Sequence, residues 1–138
     1  MKTVYIDSNV FLNSVLYNLE ENDEAKRSHN FLQKIIAKKV IGATSVLTWD
    51  EFTWITKREL DKETAIKKGN EFLLFPDLIF LKITQKTIKK AQDLFSKYNI
   101  KPRDAIHCAS ALENGISTII SFDDDFDCIH EITRKEPS

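Results

Sequence analysis

The chain has 138 residues, of which 42% are hydrophobic, and a formal net charge of −1 at pH 7. This length and apolar content fit a single domain with one hydrophobic core, and no second domain is needed. The near-neutral total charge does not indicate nucleic-acid binding in the way a strongly basic domain would, so a function of that kind has to be argued from local patterns.

The first half of the chain alternates β-prone runs with helical periodicity. Thr3 to Ile6 predicts a strand, and Asp7-Ser8-Asn9 favours a turn and the start of a helix. The apolar run before Asp7 is too short for a signal sequence or a membrane helix, which predicts a cytoplasmic protein with no membrane association. The next predicted elements are a helix over 23–38, a strand over 40–43, a helix from a Thr44 or Ser45 cap to about Glu59, and a helix over 61–72.

The second half continues the alternation. Phe75-Pro76-Asp77 interrupts the pattern before a β-prone run from Leu78 to Ile83, and Thr84 fits as the N-cap of a helix to about Lys97. Pro102 suits the first turn of a helix that stops at Asn114-Gly115, and a strand is predicted over 117–121. This order of strands and helices indicates an α/β domain with a parallel sheet and helices on both of its faces.

Two aspartates fall where such a sheet collects its ligand sites, beyond the carboxyl ends of the strands, and a third lies at a helix start. Asp7 and Asp123 directly follow predicted strands, and Asp104 lies at the start of a helix. A carboxylate at a helix start also complements the helix dipole, so plain capping competes with a functional role for Asp104. Each aspartate alone would be interpreted as a cap or turn residue, whereas the combination favours a shared site.

Glu51 lies inside a predicted helix, where capping does not explain an acid. Leu47, Trp54 and Ile55 are three or four residues away and share its helix face, so we expect the carboxylate to point toward the protein body and Trp54 to belong to the core. A buried acid needs a partner or a metal ion. Metal coordination is the favoured interpretation, and an internal salt bridge to Arg58 is the alternative.

The segment Ser121-Phe122-Asp123-Asp124-Asp125-Phe126-Asp127 contains four acids directly after a predicted strand. A solvated acidic loop is the simplest alternative to a site. A calcium loop of the EF-hand type is excluded, because Cys128 and Arg134 stand where that loop needs glycine and a bidentate glutamate. Asp123 is closest to the strand and is expected to face inward, with Asp125 as the alternate.

Several carboxylates in one pocket would bind protons unless a cation compensates their charge. Oxygen ligands suit Mg²⁺ or Mn²⁺, and a site of this kind without cysteine or histidine ligands indicates phosphate chemistry more than zinc chemistry. The two cysteines, Cys108 and Cys128, have no metal-ligand spacing and are expected to be reduced and structural. The acids therefore predict metal-assisted hydrolysis of a phosphodiester.

These acids lie in four segments: YIDSNVF with Asp7, TSVLTWDEF with Glu51, KPRDAIHCASALENG with Asp104, and TIISFDDDF with Asp123. In their order and approximate spacing, the segments resemble the motifs of the PIN-domain nucleases, and within that family the VapC-type toxins of toxin–antitoxin pairs. The resemblance covers nearly the whole chain. Each segment alone is a weak signal, and the four together are a strong one.

The resemblance implies a single PIN-like domain over residues 1–138, with a three-layer α/β/α fold around a central parallel sheet. It further implies a Mg²⁺- or Mn²⁺-dependent endoribonuclease, a hydrolase, with RNA as substrate. The implied partners are a VapB-like antitoxin that blocks the active groove and a second copy of the chain in a homodimer. The implied catalytic and metal-binding residues are Asp7, Glu51, Asp104 and Asp123, supported from a second layer by Asn9, Ser121 and Asp125.

Four further residues are candidates for contact with RNA. His107 follows Asp104 by three positions and can donate to a carboxylate or bind RNA, although a satisfied, partly buried histidine is the simpler expectation. Arg103 can contact a phosphate or remain an exposed arginine at a helix start. Trp49 and Trp54 can stack on bases, but Trp54 is expected in the core.

Two other functions compete with the nuclease. A phosphotransfer receiver domain is also a parallel α/β unit, but it requires an acid pair after the first strand and a lysine after a late strand, and neither Asp7-Ser8-Asn9 nor Ser121-Phe122-Asp123 supplies these. A catalytically silent PIN-like domain that only binds RNA or a protein is the second alternative. The intact set of acids argues against it.

Overall fold

The computed structural model describes residues 1–138, which form five strands and six α-helices. The strands are β1 (Thr3–Ile6), β2 (Ile41–Ser45), β3 (Ile79–Leu81), β4 (Thr118–Ile120) and β5 (Thr133–Lys135). The helices are α1 (Ser8–Leu16), α2 (Asp23–Ile36), α3 (Val46–Glu59), α4 (Lys62–Leu73), α5 (Gln85–Lys97) and α6 (Pro102–Glu113), and a 3₁₀ helix covers Asp124–Cys128. None of these helices combines the length and the apolar content needed to cross a membrane.

All five strands run parallel in the order β3-β2-β1-β4-β5. The first strand is central, and its Tyr5 pairs with Ala43 on one side and with Ile119 on the other. The chain leaves β1 toward β2 and later returns to the opposite side of β1 to form β4, so the winding direction reverses between β1 and β4. Such a reversal opens a crevice beyond the carboxyl ends of the two strands.

Each face of the sheet has its own hydrophobic core, because successive side chains of a strand point to opposite faces. Tyr5 and Ile119 belong to the core shared with α5 and α6. Ile6 and Ile120 belong to the core shared with α1, α2, α3 and α4. The predicted three-layer α/β/α arrangement around a central parallel sheet is confirmed.

Most helix boundaries follow the local signals in the sequence. Thr84 caps α5, and Thr87 returns the hydrogen bond in a capping box. Pro102 lies in the first turn of α6. Gly115 follows the end of α6 with a φ of +73°, a conformation that glycine adopts without a steric cost.

The prediction that Thr44 or Ser45 caps α3 is confirmed for the position of the cap but not for its hydrogen bond. Ser45 occupies the N-cap position, but its hydroxyl accepts a hydrogen bond from the Tyr5 hydroxyl and makes no capping bond. The Thr44 hydroxyl donates to the carbonyl of Ile6. Both side chains are therefore occupied by partners from β1, which a scan of the local sequence does not reveal.

The prediction that Trp54 lies in the core is wrong, since the residue is 52% exposed. The buried residues of α3 are Thr48, Phe52 and Thr56, so the inward face of the helix is rotated away from the one assumed. Glu51 consequently lies at the edge of the buried face and is only partly covered. Its carboxylate is placed where the core meets the crevice.

A Cβ at position 42 fits only if the buried isoleucine side chains beside it shift. A Cβ there would lie 2.8 Å from Cδ1 of both Ile35 and Ile6, so we expect Gly42→Ala to lower the free energy of unfolding by about 1–3 kcal/mol. Gly69 inside α4 is the matched control, because its Cβ would meet no atom closer than 3.5 Å, and Gly69→Ala is expected to raise the same quantity by about 0.5–1 kcal/mol. Urea denaturation measures both, and a destabilisation of equal size in the two variants would contradict the packing argument.

Candidate metal centre

The four acids identified in the sequence line one pocket of about 580 Å³ at the carboxyl edge of the sheet. The pocket contains no hydrophobic residue other than a proline, which suits a charged ligand. Its lining consists of Asp7, Ser8, Asn9, Glu51, Lys101, Pro102, Arg103, Asp104 and Asp123. The chain thus brings the predicted acids together from the ends of β1 and β4, from α3 and from the first turn of α6.

Asp7 is the most firmly held of the acids. It follows β1 as the N-cap of α1, and its Oδ1 accepts from the backbone N–H of Ser8 at 2.7 Å. Its Oδ2 accepts from Ser121 Oγ at 2.7 Å and from Asn9 Nδ2 at 3.3 Å, so two of the three predicted supporting residues contact it directly. Burial raises the pKa of the Asp7 carboxyl even though His107 and Ser121 act to lower it.

Asp104 is the least satisfied of the acids. It is 8% exposed, and its Oδ2 is buried without any hydrogen-bond partner. Burial first, and then the negative charges of Asp7 and Asp123, raise the pKa of Asp104 to about 6. Buried polar atoms are almost always paired, so an unpaired oxygen on an acid that has other carboxylates as neighbours fits a site that takes a cation.

Asp123 lies just beyond β4, where it caps the 3₁₀ helix. Its Oδ1 accepts from the backbone N–H of Asp125 at 2.9 Å, and its own N–H donates to Ser121 Oγ at 2.9 Å. Oxygens of Asp104, Asp123 and Asp125 lie within 4.8 Å of one another. Asp125 is exposed, so it can assist Asp123 from the solvent side.

Arg134 holds the acidic loop in place, a role that sequence reasoning did not find. Its Nε and Nη2 donate to the two carboxylate oxygens of Asp127 at 2.8 and 3.1 Å. Its Nη1 donates to the carbonyl of Ser121 at 3.2 Å. The edge strand β5 therefore fixes the segment that carries Asp123. The short polar run Thr-Arg-Lys has no apolar alternation that would have predicted a strand.

Glu51 is paired with His107 and not with Arg58. Glu51 Oε1 lies 2.5 Å from His107 Nε2, whereas Arg58 is paired with its neighbour Glu59 at 2.9 Å. The alternative of an internal salt bridge therefore named the wrong partner. His107 is 0% exposed, so the prediction that it contacts RNA is wrong. The expectation that it donates a hydrogen bond to a carboxylate fits its contact with Glu51.

His107 carries hydrogen bonds on both ring nitrogens. Its Nδ1 lies 2.5 Å from the Tyr5 hydroxyl, which itself donates to Ser45 Oγ at 2.8 Å. Burial opposes a charged imidazole, but Tyr5, Glu51 and Asp7 together raise the pKa of His107 well above its ordinary value. Its Nε2 lies 3.7 Å from Asp7 Oδ1, on the protein side of the acids.

The donor set fits a hard divalent cation. The groups that could hold an ion comprise carboxylates and the His107 imidazole, and both nitrogens of this imidazole are already in hydrogen bonds, which leaves the carboxylate oxygens as ligands. Ions such as Mg²⁺ prefer a few carboxylates and leave the remaining positions to water or phosphate. The residues can therefore hold a metal ion through oxygen.

The pocket rim carries the positive charges. Arg103 is half-exposed, and its Nη2 lies 3.5 Å from Oδ2 of Asp50. Lys101 lies beside it on the same rim. Exposed ion pairs of this type are weak, so Arg103 can exchange Asp50 for a phosphate. Its contact with substrate stays a prediction.

The fold and the site together define an α/β/α domain with a carboxylate-lined pocket at the switch point of its sheet. The family model of the PIN domain matches residues 4–131. The chain therefore belongs to the PIN domain family, which confirms the family predicted from the four sequence segments.

Individual relatives agree with this assignment. Ribonuclease VapC2 of Methanocaldococcus jannaschii is 28% identical over 135 residues, covering 89% of this chain and 86% of that protein. The structure of VapBC2 from Rickettsia felis, bound to a DNA fragment from its promoter, matches with a TM-score of 0.75 and 16% identity over 99% of this chain and 100% of that chain. Mycobacterium tuberculosis VapC20, described as a toxin that cleaves the sarcin-ricin loop, matches with a TM-score of 0.71 and 15% identity over 92% and 95% of the two chains. At these identities the structural matches establish the fold.

The clustered acids predict a specific pH dependence for the metal-free protein. Because the pKa of Asp104 rises from 3.8 to about 6 on folding, the folded protein retains a proton that the unfolded chain has lost in this window. The contribution of Asp104 to the free energy of unfolding therefore falls as the pH rises from about 4 to about 6. Asp7, whose pKa is also raised, acts in the same direction.

Asp104→Asn should remove this decline. Relative to wild type, we expect the variant to gain about 1–2 kcal/mol of unfolding free energy between pH 4 and pH 7, less than the full 1.4 kcal/mol per pKa unit because solvent in the pocket screens the charge. Urea unfolding in EDTA across this range is the measurement. Asp93→Asn, at an exposed position of α5, is the control, and its free energy of unfolding should change with pH as that of wild type does. Parallel curves for Asp104→Asn would contradict the assignment.

Proposed function

We propose that this chain is an endoribonuclease that hydrolyses RNA phosphodiester bonds with Mg²⁺ or Mn²⁺ as cofactor. The observation that carries the proposal is the pocket in which four carboxylates converge and one Asp104 oxygen has no protein partner. A relative named as a ribonuclease supports RNA as the substrate. The catalytically silent domain is the alternative, and it has to explain why this strained set of acids is complete.

Asp7, Glu51, Asp104 and Asp123 would hold the ion, with Asp125 in support. Because the donors are all oxygen, Mg²⁺ and Mn²⁺ fit better than softer metals. A bound divalent ion supplies Lewis-acid stabilisation of the charge that develops on the attacked phosphodiester. It also makes an acidic pocket compatible with an anionic substrate.

The chain's own residues contribute order and orientation. Ser8, Asn9 and Ser121 hold both oxygens of Asp7, so this carboxylate does not have to reorganise when a ligand arrives. The exposed Arg103 and the neighbouring Lys101 lie on the pocket rim, where they can neutralise backbone phosphates of an approaching RNA. The positive charges that can bind RNA thus surround the carboxylates and do not lie between them.

The relatives support a second part of the proposal, that the chain is the toxin of a toxin–antitoxin pair with a VapB-like antitoxin as partner. Several solved structures with the same fold are VapBC assemblies, from Rickettsia felis, Salmonella typhimurium and nontypeable Haemophilus influenzae. The homodimer implied by the family resemblance stays a prediction.

Cleavage of RNA by the purified protein tests the nuclease proposal. We expect cleavage that requires Mg²⁺ or Mn²⁺, is abolished by EDTA, and falls on the order of 100-fold or more in Asp7→Asn, because the substitution removes a ligand charge while keeping the shape of the side chain. Asp93→Asn is the matched control at an exposed position outside the pocket and should cleave at the wild-type rate. Cleavage that survives in Asp7→Asn would remove the proposed mechanism, and absence of cleavage by wild type would favour the silent domain.

Growth on induced expression tests the toxin proposal. Expression of the wild-type chain should arrest growth, Asp7→Asn should not, and co-expression of a small reading frame encoded immediately upstream should restore growth. Normal growth with abundant, RNA-cleaving wild-type protein would contradict the toxin role and leave the nuclease assignment intact.

A further inference from the structure

Glu51 depends on a single protein contact for its orientation. Asp7 accepts hydrogen bonds from Ser8, Asn9 and Ser121, whereas the structure gives the Glu51 carboxylate one hydrogen bond, from His107. A glutamate has more side-chain torsions to restrict than an aspartate, so its unrestrained carboxylate loses more entropy when it binds a ligand. Whatever fixes His107 therefore also fixes Glu51.

His107 is itself immobilised by a buried polar chain. Its ring lies edge-on to the ring of Tyr5, with centroids 5.5 Å apart, and its Nδ1 contacts the Tyr5 hydroxyl. Tyr5 bonds in turn to Ser45, the residue that directly precedes α3, which carries Glu51. Tyr5, His107 and Ser45 are each 0% exposed, so water does not compete for these bonds.

This buried series of hydrogen bonds links several elements of the fold. Tyr5 comes from β1, two residues before Asp7, and Ser45 ends β2. His107 comes from α6, one turn after Asp104. The same polar chain thus connects the backbone segments of three of the four acids, and His107 Nε2 lies between Glu51 Oε1 at 2.5 Å and Asp7 Oδ1 at 3.7 Å.

We propose that His107, oriented by Tyr5, is a positioning residue that fixes the Glu51 carboxylate beside Asp7 and so sets the affinity of the pocket for a divalent cation. This inference rests on the proposed function. His107 Nε2 lies close enough to the Asp7 and Glu51 oxygens to join them around an ion, but the side chain is fully buried and both of its nitrogens are in hydrogen bonds, so we assign it no direct contact with the ion or the RNA. Its effect passes through Glu51.

Two substitutions at position 107 separate the hydrogen bond to Glu51 from the hydrogen bond to Tyr5. The amide nitrogen of glutamine lies near the place of Nε2 and can still donate to Glu51, whereas that of asparagine lies near Nδ1 and is too short to reach it. We expect His107→Asn to weaken Mn²⁺ binding by about 10- to 100-fold. His107→Gln should restore affinity to within about 3-fold of wild type, which a residue that merely fills space would not do.

The experiment measures the dissociation constant of Mn²⁺ alone, by electron paramagnetic resonance of the free ion, for both variants in the wild-type and Glu51→Gln backgrounds. If His107 acts through Glu51, the loss caused by His107→Asn should disappear in the Glu51→Gln background. Tyr5→Phe keeps the ring and removes only the hydroxyl, so it carries the test if His107→Asn does not fold. We expect it to lose about 3- to 10-fold in affinity, again only when Glu51 is present.

Three results would overturn the proposal: wild-type affinity in His107→Asn, equal losses in His107→Asn and His107→Gln, or a loss that persists in Glu51→Gln. Equal losses would identify His107 as a direct ligand or as a purely structural residue. If wild type binds Mn²⁺ but does not cleave RNA, the nuclease assignment fails while the Mn²⁺ affinities still decide the role of His107. If wild type binds no Mn²⁺, both proposals fail.

Discussion

Mutual repulsion among carboxylates is the constraint that the rest of this structure accommodates. Asp7, Glu51, Asp104 and Asp123 line one pocket, and the first and third are almost fully buried. Isolated buried charges are too costly to tolerate, so each acid needs hydrogen bonds, a counter-charge or a proton. The protein supplies these unequally. Asp7 has hydrogen bonds, Glu51 has a histidine, and one Asp104 oxygen has nothing.

The parallel sheet is what makes such a concentration of charge possible. Strand ends that emerge side by side deliver Asp7 and Ser121 to within hydrogen-bond distance although they are 114 residues apart in the chain. Apolar cores on both faces of the sheet stabilise the backbone that holds them. The alternation of side chains in β1 adds a further element, because Tyr5 points into the core of α5 and α6 and contacts His107 there.

The parts of the site that were predictable from sequence are those fixed by topology. An acid directly after a parallel strand must lie at the carboxyl edge, so Asp7 and Asp123 could be placed together without knowledge of any side-chain contact. The errors concern rotation and partner choice. Whether Trp54 or Phe52 faces inward depends on how α3 packs against its neighbours. The pairing of Glu51 with His107 joins residues 56 positions apart, and no local spacing encodes it.

The unequal compensation of the acids also links ligand binding to folding. An ion that binds only the folded chain stabilises it, and the gain is largest where the protein has left a charge unpaired. In this pocket that place is Asp104, whose pKa is raised to about 6 by burial and by its acidic neighbours. A cation beside Asp104 would offset the repulsion from its acidic neighbours, so this unpaired acid, which together with Asp7 destabilises the metal-free fold at neutral pH, would be stabilised by the ion. Asp7 and Glu51 are already oriented by hydrogen bonds, so they present their oxygens to the ion in a fixed geometry.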